Sequence, residues 1–427
     1  MRIGPLAIAV LGVVGACRDG RVRAARDAGV ERAASRSVGL RGPSIVAPAR
    51  PVACPWKWSD ETALTLDAPA DAPFDFEAVC SASQLSVVWR SGASAALTSR
   101  ALRQDATWSA PSALGDDVST LGRPYAASTA VWVAWTTPTG TLRSARVDGA
   151  VMRSSDAIPA LHTTFRSPFV LFARGDHALV ASTFRRRLVD QVIVHRVGVG
   201  SAPPSGALLS EGSLVAASTG ARPRLVTMTN IPRSQGGPWH LKGWRLDASV
   251  AMTLAAPAAE GAFGVMPEGG AASSADLPVG IGRFEFTRTL GERTGAMLFQ
   301  TVLGAERGAP RVAWFGDDTP VVMTLPVAVT SLGATFDATA GDAGTQGAEI
   351  LWWGDQNALE RATVTPAGLG APTRIGARLA TEFTVYEAAR NTRWVTCGAE
   401  RWRVTARREG ASVRLGAARE ACEVEGR

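Results

Sequence analysis

A short β-rich strand, a turn and a second strand of alternating apolar and polar residues recur seven times along this 427-residue chain. The unit reads Leu85 to Trp89 with Ala96 to Leu102, Val131 to Trp135 with Leu142 to Val147, and Ala178 to Ser182 with Val192 to Val197. It returns as Arg224 to Met228 with Leu241 to Leu246, and in a weaker copy ending in Met297 to Val302. The last two copies are Glu349 to Trp353 with Leu359 to Val364, and Arg393 to Cys397 with Trp402 to Ala406. The second strands recur every 43 to 62 residues, close to the spacing of propeller blades. A single small sheet cannot bury both its faces, whereas sheets stacked around an axis bury them and leave only short edges. Val131, Val133 and Trp135 alternate with Trp132 and Ala134, so this strand is apolar on both faces, as a strand between two neighbours must be. Gly and Pro number 44 and 25, and few windows carry a helical stripe, so the chain reads as all-β. Turns such as Pro138 to Gly140 and Gly354 to Asn357 close the hairpins. The Gly, Ala and Ser-rich stretches Ala258 to Gly282 and Asp337 to Gly347 fall in the longest intervals and read as flexible insertions.

The region from Cys54 to Arg427 thus resembles β-propeller proteins of the sialidase-like, kelch and WD40-like kinds, and seven hairpins imply seven blades. Six or eight blades, or tandem β-sandwiches, are the alternatives, because the sharp signatures of those families are missing. There is no Ser-x-Asp-x-Gly-x-x-Trp box, no regular Gly-Gly pair and no blade-ending Trp-Asp. Trp89, Trp135, Trp352 and Trp394 fall at like positions within the units, which points to packing between blades rather than to ligand stacking.

The amino terminus carries a different message. An apolar run from Ile3 to Ala16 is too short for a bilayer, which needs roughly 20 such residues, but matches a signal h-region. Val14-Gly15-Ala16-Cys17 resembles the lipobox of bacterial lipoproteins, a resemblance that implies cleavage before Cys17 and a diacylglycerol on its thiol. Net charge is +7, but eight arginines against three acids lie between 18 and 50, and Arg2 adds one more. About one net positive charge is left for everything from Pro51 onward, which removes the case for a nucleic-acid partner. Residues 17–50 read as a lipidated, disordered, Arg-rich tether beside an anionic membrane surface, after a signal peptide at 1–16 and before a propeller domain at 51–427. The expected location is the envelope of a bacterial cell, on the outer membrane or the cell surface.

With Cys17 set aside, Cys54, Cys80, Cys397 and Cys422 form an even set in a compartment that permits disulfides. Pairing of sequence neighbours, Cys54 with Cys80 and Cys397 with Cys422, is the simplest of three connectivities. Cross-pairing between the two ends is the rival, and would lock the first folded segment to the last. No Cys-x-x-Cys occurs, and His162, His177, His195 and His240 show no metal-ligand spacing, so no metal or cofactor is expected.

Catalytic motifs do not emerge. Gly-x-Ser-x-Gly and His-Glu-x-x-His are absent, Lys57 and Lys242 fit no phosphate loop, and Gly280-Ile-Gly282 breaks the dinucleotide fingerprint. Sialidase-like chemistry needs an arginine cluster and a tyrosine nucleophile, and the tyrosines are Tyr125 and Tyr386, the latter beside Glu387. Arg185-Arg186-Arg187 reads as a solvated hairpin tip. Asp116-Asp117, Asp317-Asp318 and Asp337 with Asp342 read as turn residues rather than calcium ligands. The expectation is a lipid-anchored, non-catalytic module that binds a protein, glycan or small molecule. A polysaccharide hydrolase or lyase and a structural envelope component are the alternatives. An enzyme would gather carboxylates with Arg or Tyr at the central channel.

Overall fold

The computed structural model describes residues from 56 to 422, with breaks between strands, the longest at 155–167, 231–238, 254–263, 339–346 and 379–390. The strands form seven sheets whose members pair antiparallel, except that Ser205–Glu211 pairs parallel with Gly264–Val265 at the edge of one sheet, and the sheets pack one on the next to make a seven-bladed β-propeller. Blade 1 runs outward through Asp75–Ser81, Gln84–Ser91, Ala96–Leu102 and Ser112–Gly115. Blade 2 starts with a broken inner strand, Thr120–Leu121 and Tyr125–Ala127, both paired to Ala130–Thr136. The inner strands of blades 3 to 6 are Phe169–Arg174, Ser213–Ala217, Arg283–Phe286 and Ser331–Asp337. Blade 7 begins with Thr392–Cys397 and continues through Glu400–Glu409 and Ser412–Cys422. Among the described residues the only helix is the single turn Ala248–Ala251.

Each junction between blades holds its own apolar cluster, which is why the chain can be apolar on both strand faces. Val131, Val133 and Trp135 meet Val88, Leu97 and Leu114 of blade 1, while Trp132 and Ala134 meet Val170 and Val180 of blade 3. Trp132, Trp352 and Trp353 are almost wholly buried, so these three tryptophans serve the core. Burying a side chain of this size contributes about 1.5–3 kcal/mol or more, and such burial rather than any local propensity holds the ring together. The turn at Pro138 and Thr139 is closed by Gly140, whose φ of 82° is cheap only for glycine.

The ring is closed by the two ends of the described chain. Ser412–Cys422 pairs on one side with Glu400–Glu409 and on the other with Thr62–Asp67 and Trp56–Trp58. Blade 7 is therefore finished by residues that precede blade 1. A disulfide joins Cys80 on the inner strand of blade 1 to Cys397 on the inner strand of blade 7, 317 residues apart. This is the cross-pairing, and it overturns the sequence-neighbour pairing for these two cysteines. Cys54 lies outside the described residues, and the Cys422 backbone pairs with Trp56.

Three expectations are corrected. In blade 5 the weak copy ending in Met297 to Val302 is the second strand, Ala296–Leu303, and its hairpin partner is Arg311–Trp314 further on. In blade 7 the hairpin from Arg393 comprises the first and second strands, not the second and third, so Trp394 is not equivalent to Trp89, Trp135 and Trp352. The Gly, Ala and Ser-rich stretch is not all filler, because Ala271–Gly280 is the outer strand of blade 4, paired with Trp239–Leu246. Small residues suit an outer strand, which has less to pack against. Residues 1–55 lie outside the described residues, and with them the signal, Cys17 and the tether.

Candidate functional site

The seven inner strands surround a channel with a cavity at each mouth. One, of about 420 Å³, lies where inner strands of blades 5, 6 and 7 begin, and four arginines and two glutamates line it: Arg123, Arg288, Arg307, Arg393, Glu77 and Glu285. The other, of about 350 Å³, lies where those strands end, and Tyr125, Glu292, Asp337, Phe336 and Arg401 line it. Ala78, Arg123, Thr289 and Trp394 line both, so they form the layer that separates the two mouths.

The arginine mouth is built around Glu77, whose side chain is only 5% exposed. Its Oε1 accepts from Arg393 Nε at 2.9 Å and from Arg288 Nη1 at 2.8 Å. Arg393 is buried as well and reaches Asp75 at 3.3 Å, while its guanidinium lies 4.8 Å over the Phe76 ring. Arg288, by contrast, is half exposed to the cavity. Arg123 comes from the break in the inner strand of blade 2. Its backbone is tied to blade 3 through Pro168 and Val170, and its Nη1 donates to the carbonyls of Arg288 and Ala217 across the channel. Burial pulls the Arg123 guanidinium below its ordinary pKa, Glu77 pulls it back up, and Arg288 and Arg393 add repulsion. Arg307 answers Glu285 at 3.7 Å and donates to the Thr330 carbonyl.

Chemistry at the other mouth is different. Asp337 accepts from the backbone N–H groups of Arg293 and Thr294 at 2.7 and 3.0 Å, and from the Thr294 hydroxyl at 2.9 Å. Those donors hold it as an acceptor. Glu292 sits near it, and burial together with the Asp337 charge raises its pKa. Tyr125 stands beside Phe172, its phenol pushed up by burial and by Glu292. Arg401 is committed to Glu349 and Glu420 and lies 4.8 Å over Phe336.

Of the residues that the sequence brings forward, Tyr125, Asp337 and Trp394 reach the channel, and Cys80 lines the second mouth from the ring-closing disulfide. Tyr386, Glu387, Asp317, Asp318 and Asp342 lie outside the described residues. Arg185 is an exposed residue near a hairpin end, paired with Asp190 at 2.7 Å, and Asp116 and Asp117 lie in an exposed turn. Among the described residues no cluster of His, Cys, Asp and Glu could hold a metal, and no helix is long and apolar enough to cross a membrane. Glu77, Arg123, Arg288 and Arg393 escape the sequence reading. The available signal was a charged residue inside an apolar inner strand, as in Phe76-Glu77-Ala78 and Arg393-Trp394-Val395.

No family model matches this chain, and no curated protein matches it in sequence. Among solved structures it is similar to the six-bladed propeller lectin of Aleuria aurantia, at 9% identity over 74% of this chain and 99% of the lectin, with a TM-score of 0.37. It is similar to a chain of the mitotic checkpoint complex at 10% identity over 91% of this chain and 99% of that one, with a TM-score of 0.46. A neuraminidase-like protein of an influenza virus from a flat-faced bat in Peru matches at 11% identity over 75% of this chain and 96% of its own, with a TM-score of 0.37.

Proposed function

We propose that this chain is a lipid-anchored, exported propeller that binds a small molecule or the end of a glycan in its channel without transforming it. The observation that carries this is the division of the reactive groups between the two mouths. At one mouth the arginines gather around the Glu77 carboxylate, whose Oε1 is already shared by two of them. The tyrosine and Glu292 stand on the far side of the layer formed by Arg123 and Thr289. What remains at each mouth is a cavity with polar groups and an apolar wall, the ordinary make-up of a ligand site. Residues 17–50 would hold this ring at an envelope surface through the Cys17 lipid, and Cys17→Ser would abolish lipid labelling and release the protein from membranes. Screening the intact protein on glycan and small-molecule arrays, then mapping hydrogen exchange with a hit, tests the channel. Protection of the inner strands 75–81, 283–286 and 392–397 is the expected result, and protection confined to outer strands or to none would refute it.

A second reading, hydrolysis of a polysaccharide, is favoured by Glu292, whose pKa is raised by burial and by the Asp337 charge, and by the presence of that second carboxyl at the same mouth. Turnover of a polysaccharide that Glu292→Gln abolishes would establish it. Turnover untouched by that substitution, or none from a panel of polysaccharides, would remove it.

A further inference from the structure

We infer that the arginine mouth takes a carboxylate carried on a ring, and that Arg288 is the group that grips it; this rests on the reading of the channel as a binding site. Three guanidiniums, from Arg123, Arg288 and Arg393, converge where the protein supplies Glu77, with Asp75 behind Arg393. Arg307 at the same mouth has Glu285 as its acid. Positive charge withdrawn from water without a matching anion is costly. Burial is the largest cause of the lowered Arg123 pKa, and Arg288 and Arg393 add to it against the opposite pull of Glu77 and Glu292. An incoming anion would relieve the excess of positive charge.

The form of the excess selects the anion. Glu77 Oε1 occupies Nη1 of Arg288, one nitrogen of a planar fork with five N–H donors, and the side chain is half exposed to the cavity. A fork of this shape matches the two oxygens of a carboxylate in one plane. The wall beside it sets the rest of the ligand. Phe284 and Phe286 are stacked at 5.7 Å and 15°, both half-buried and both lining the mouth. They alternate with Glu285, and the bond from Thr287 N–H to the Leu298 carbonyl continues the pairing beyond them. Arg288 follows two residues beyond the end of this strand and lines the same mouth, so the mouth carries an apolar shelf and then a guanidinium. The ligand that fits has a flat apolar face with a carboxylate at its edge, as in a sugar acid or an aromatic acid.

Calorimetric titration of the full chain with glucuronate and benzoate, beside glucose, benzyl alcohol and inorganic sulfate, tests this. At least one acid should bind while its neutral counterpart does not, and the acid that binds separates the sugar from the aromatic source. Arg288→Gln should weaken that binding roughly tenfold or more, the loss of a charge-assisted hydrogen bond, with Arg288→Lys in between. An unchanged melting temperature in both variants shows that the fold is kept. Equal binding of an acid and its neutral counterpart, indifference to Arg288→Gln, sulfate binding as well as either acid, or no acid binding at all would each overturn the inference. A neutral ligand that protects the inner strands from exchange would overturn it and still leave the channel as the binding site.

Discussion

Gly122 is where a single atom decides the geometry of the channel. A methyl group there would meet the Ala134 carbonyl oxygen at 2.5 Å and Pro168 at 2.7 Å, while the glycine N–H donates to that same carbonyl at 2.8 Å. Two backbones and a proline leave nothing able to yield, so Gly122→Ala should destabilise the protein by about 1–3 kcal/mol, the usual cost of overpacking. Because Arg123 is the next residue, ligand binding at the arginine mouth should weaken as well, and titration of the folded variant checks this. His195 exerts its effect through protons. It is wholly buried with its Nε2 3.0 Å from the Ser182 hydroxyl, and burial lowers its pKa to about 3. The unfolded chain therefore binds a proton at this residue below about pH 6.5 that the folded chain refuses until about pH 3. Its contribution to stability is whole above that upper pH and is lost as pH falls through the window, by about 1.4 kcal/mol per pH unit. Denaturant melts of wild type and His195→Asn across pH 7 to 4 should show a shallower loss in the variant, and parallel curves would contradict it.

Strands and their order explain what could be read from the letters and what could not. The hairpins of blades 1, 2, 3, 4 and 6 are legible because their second and third strands lie between neighbours on both faces and so are apolar throughout. Inner strands are short, face a polar channel and carry charges, so the same hydrophobic signal fades on them. Blade 7 departs from this: its inner strand carries the buried Trp394 and Val395 and reads like a second strand, so the phase slips by one strand there, as it does in blade 5. The slips fall on the two inner strands nearest the arginine mouth, Arg283–Phe286 and Thr392–Cys397, which lead to Arg288 and contain Arg393. With the phase corrected, Glu77, Arg288 and Arg393 become charges at or beside inner strands, and the site is findable. Cysteine pairing has the same origin, since no letter says that strands 317 residues apart are neighbours until the ring is known to close. Replacing Cys80 and Cys397 together by Ser should lower stability by about 2–5 kcal/mol, because the bond restrains a very long loop of the unfolded chain. An unchanged denaturation midpoint would mean that strand pairing alone sets the closure.

At the scale of the ring, closure depends on residues far from the last blade in sequence. Ser412–Cys422 would be an exposed edge if Thr62–Asp67 did not pair with it from Ala417 to Ser412, and an open edge invites pairing with another chain. Leu64 and Leu66 of that strand are 6% and 7% exposed and share one cluster with Phe76, Leu85, Val404 and Leu415, so a strand added to blade 7 also fills the junction with blade 1. Removing it therefore exposes an edge and empties a core at the same point. A chain beginning at Pro51 should keep one cooperative thermal transition, since every described strand is retained. A chain beginning after Asp67 should melt earlier, lose the single transition and associate in solution, read by calorimetry and size-exclusion chromatography. The paired substitution of Leu64 and Leu66 by Ala separates the two causes. It keeps the backbone pairing while opening cavities, at about 2–5 kcal/mol for each site, so it should lower the melting temperature without causing association. Association of the leucine variant, or a monomeric and cooperative truncated chain, would show that the amino-terminal strand is not what shuts the ring.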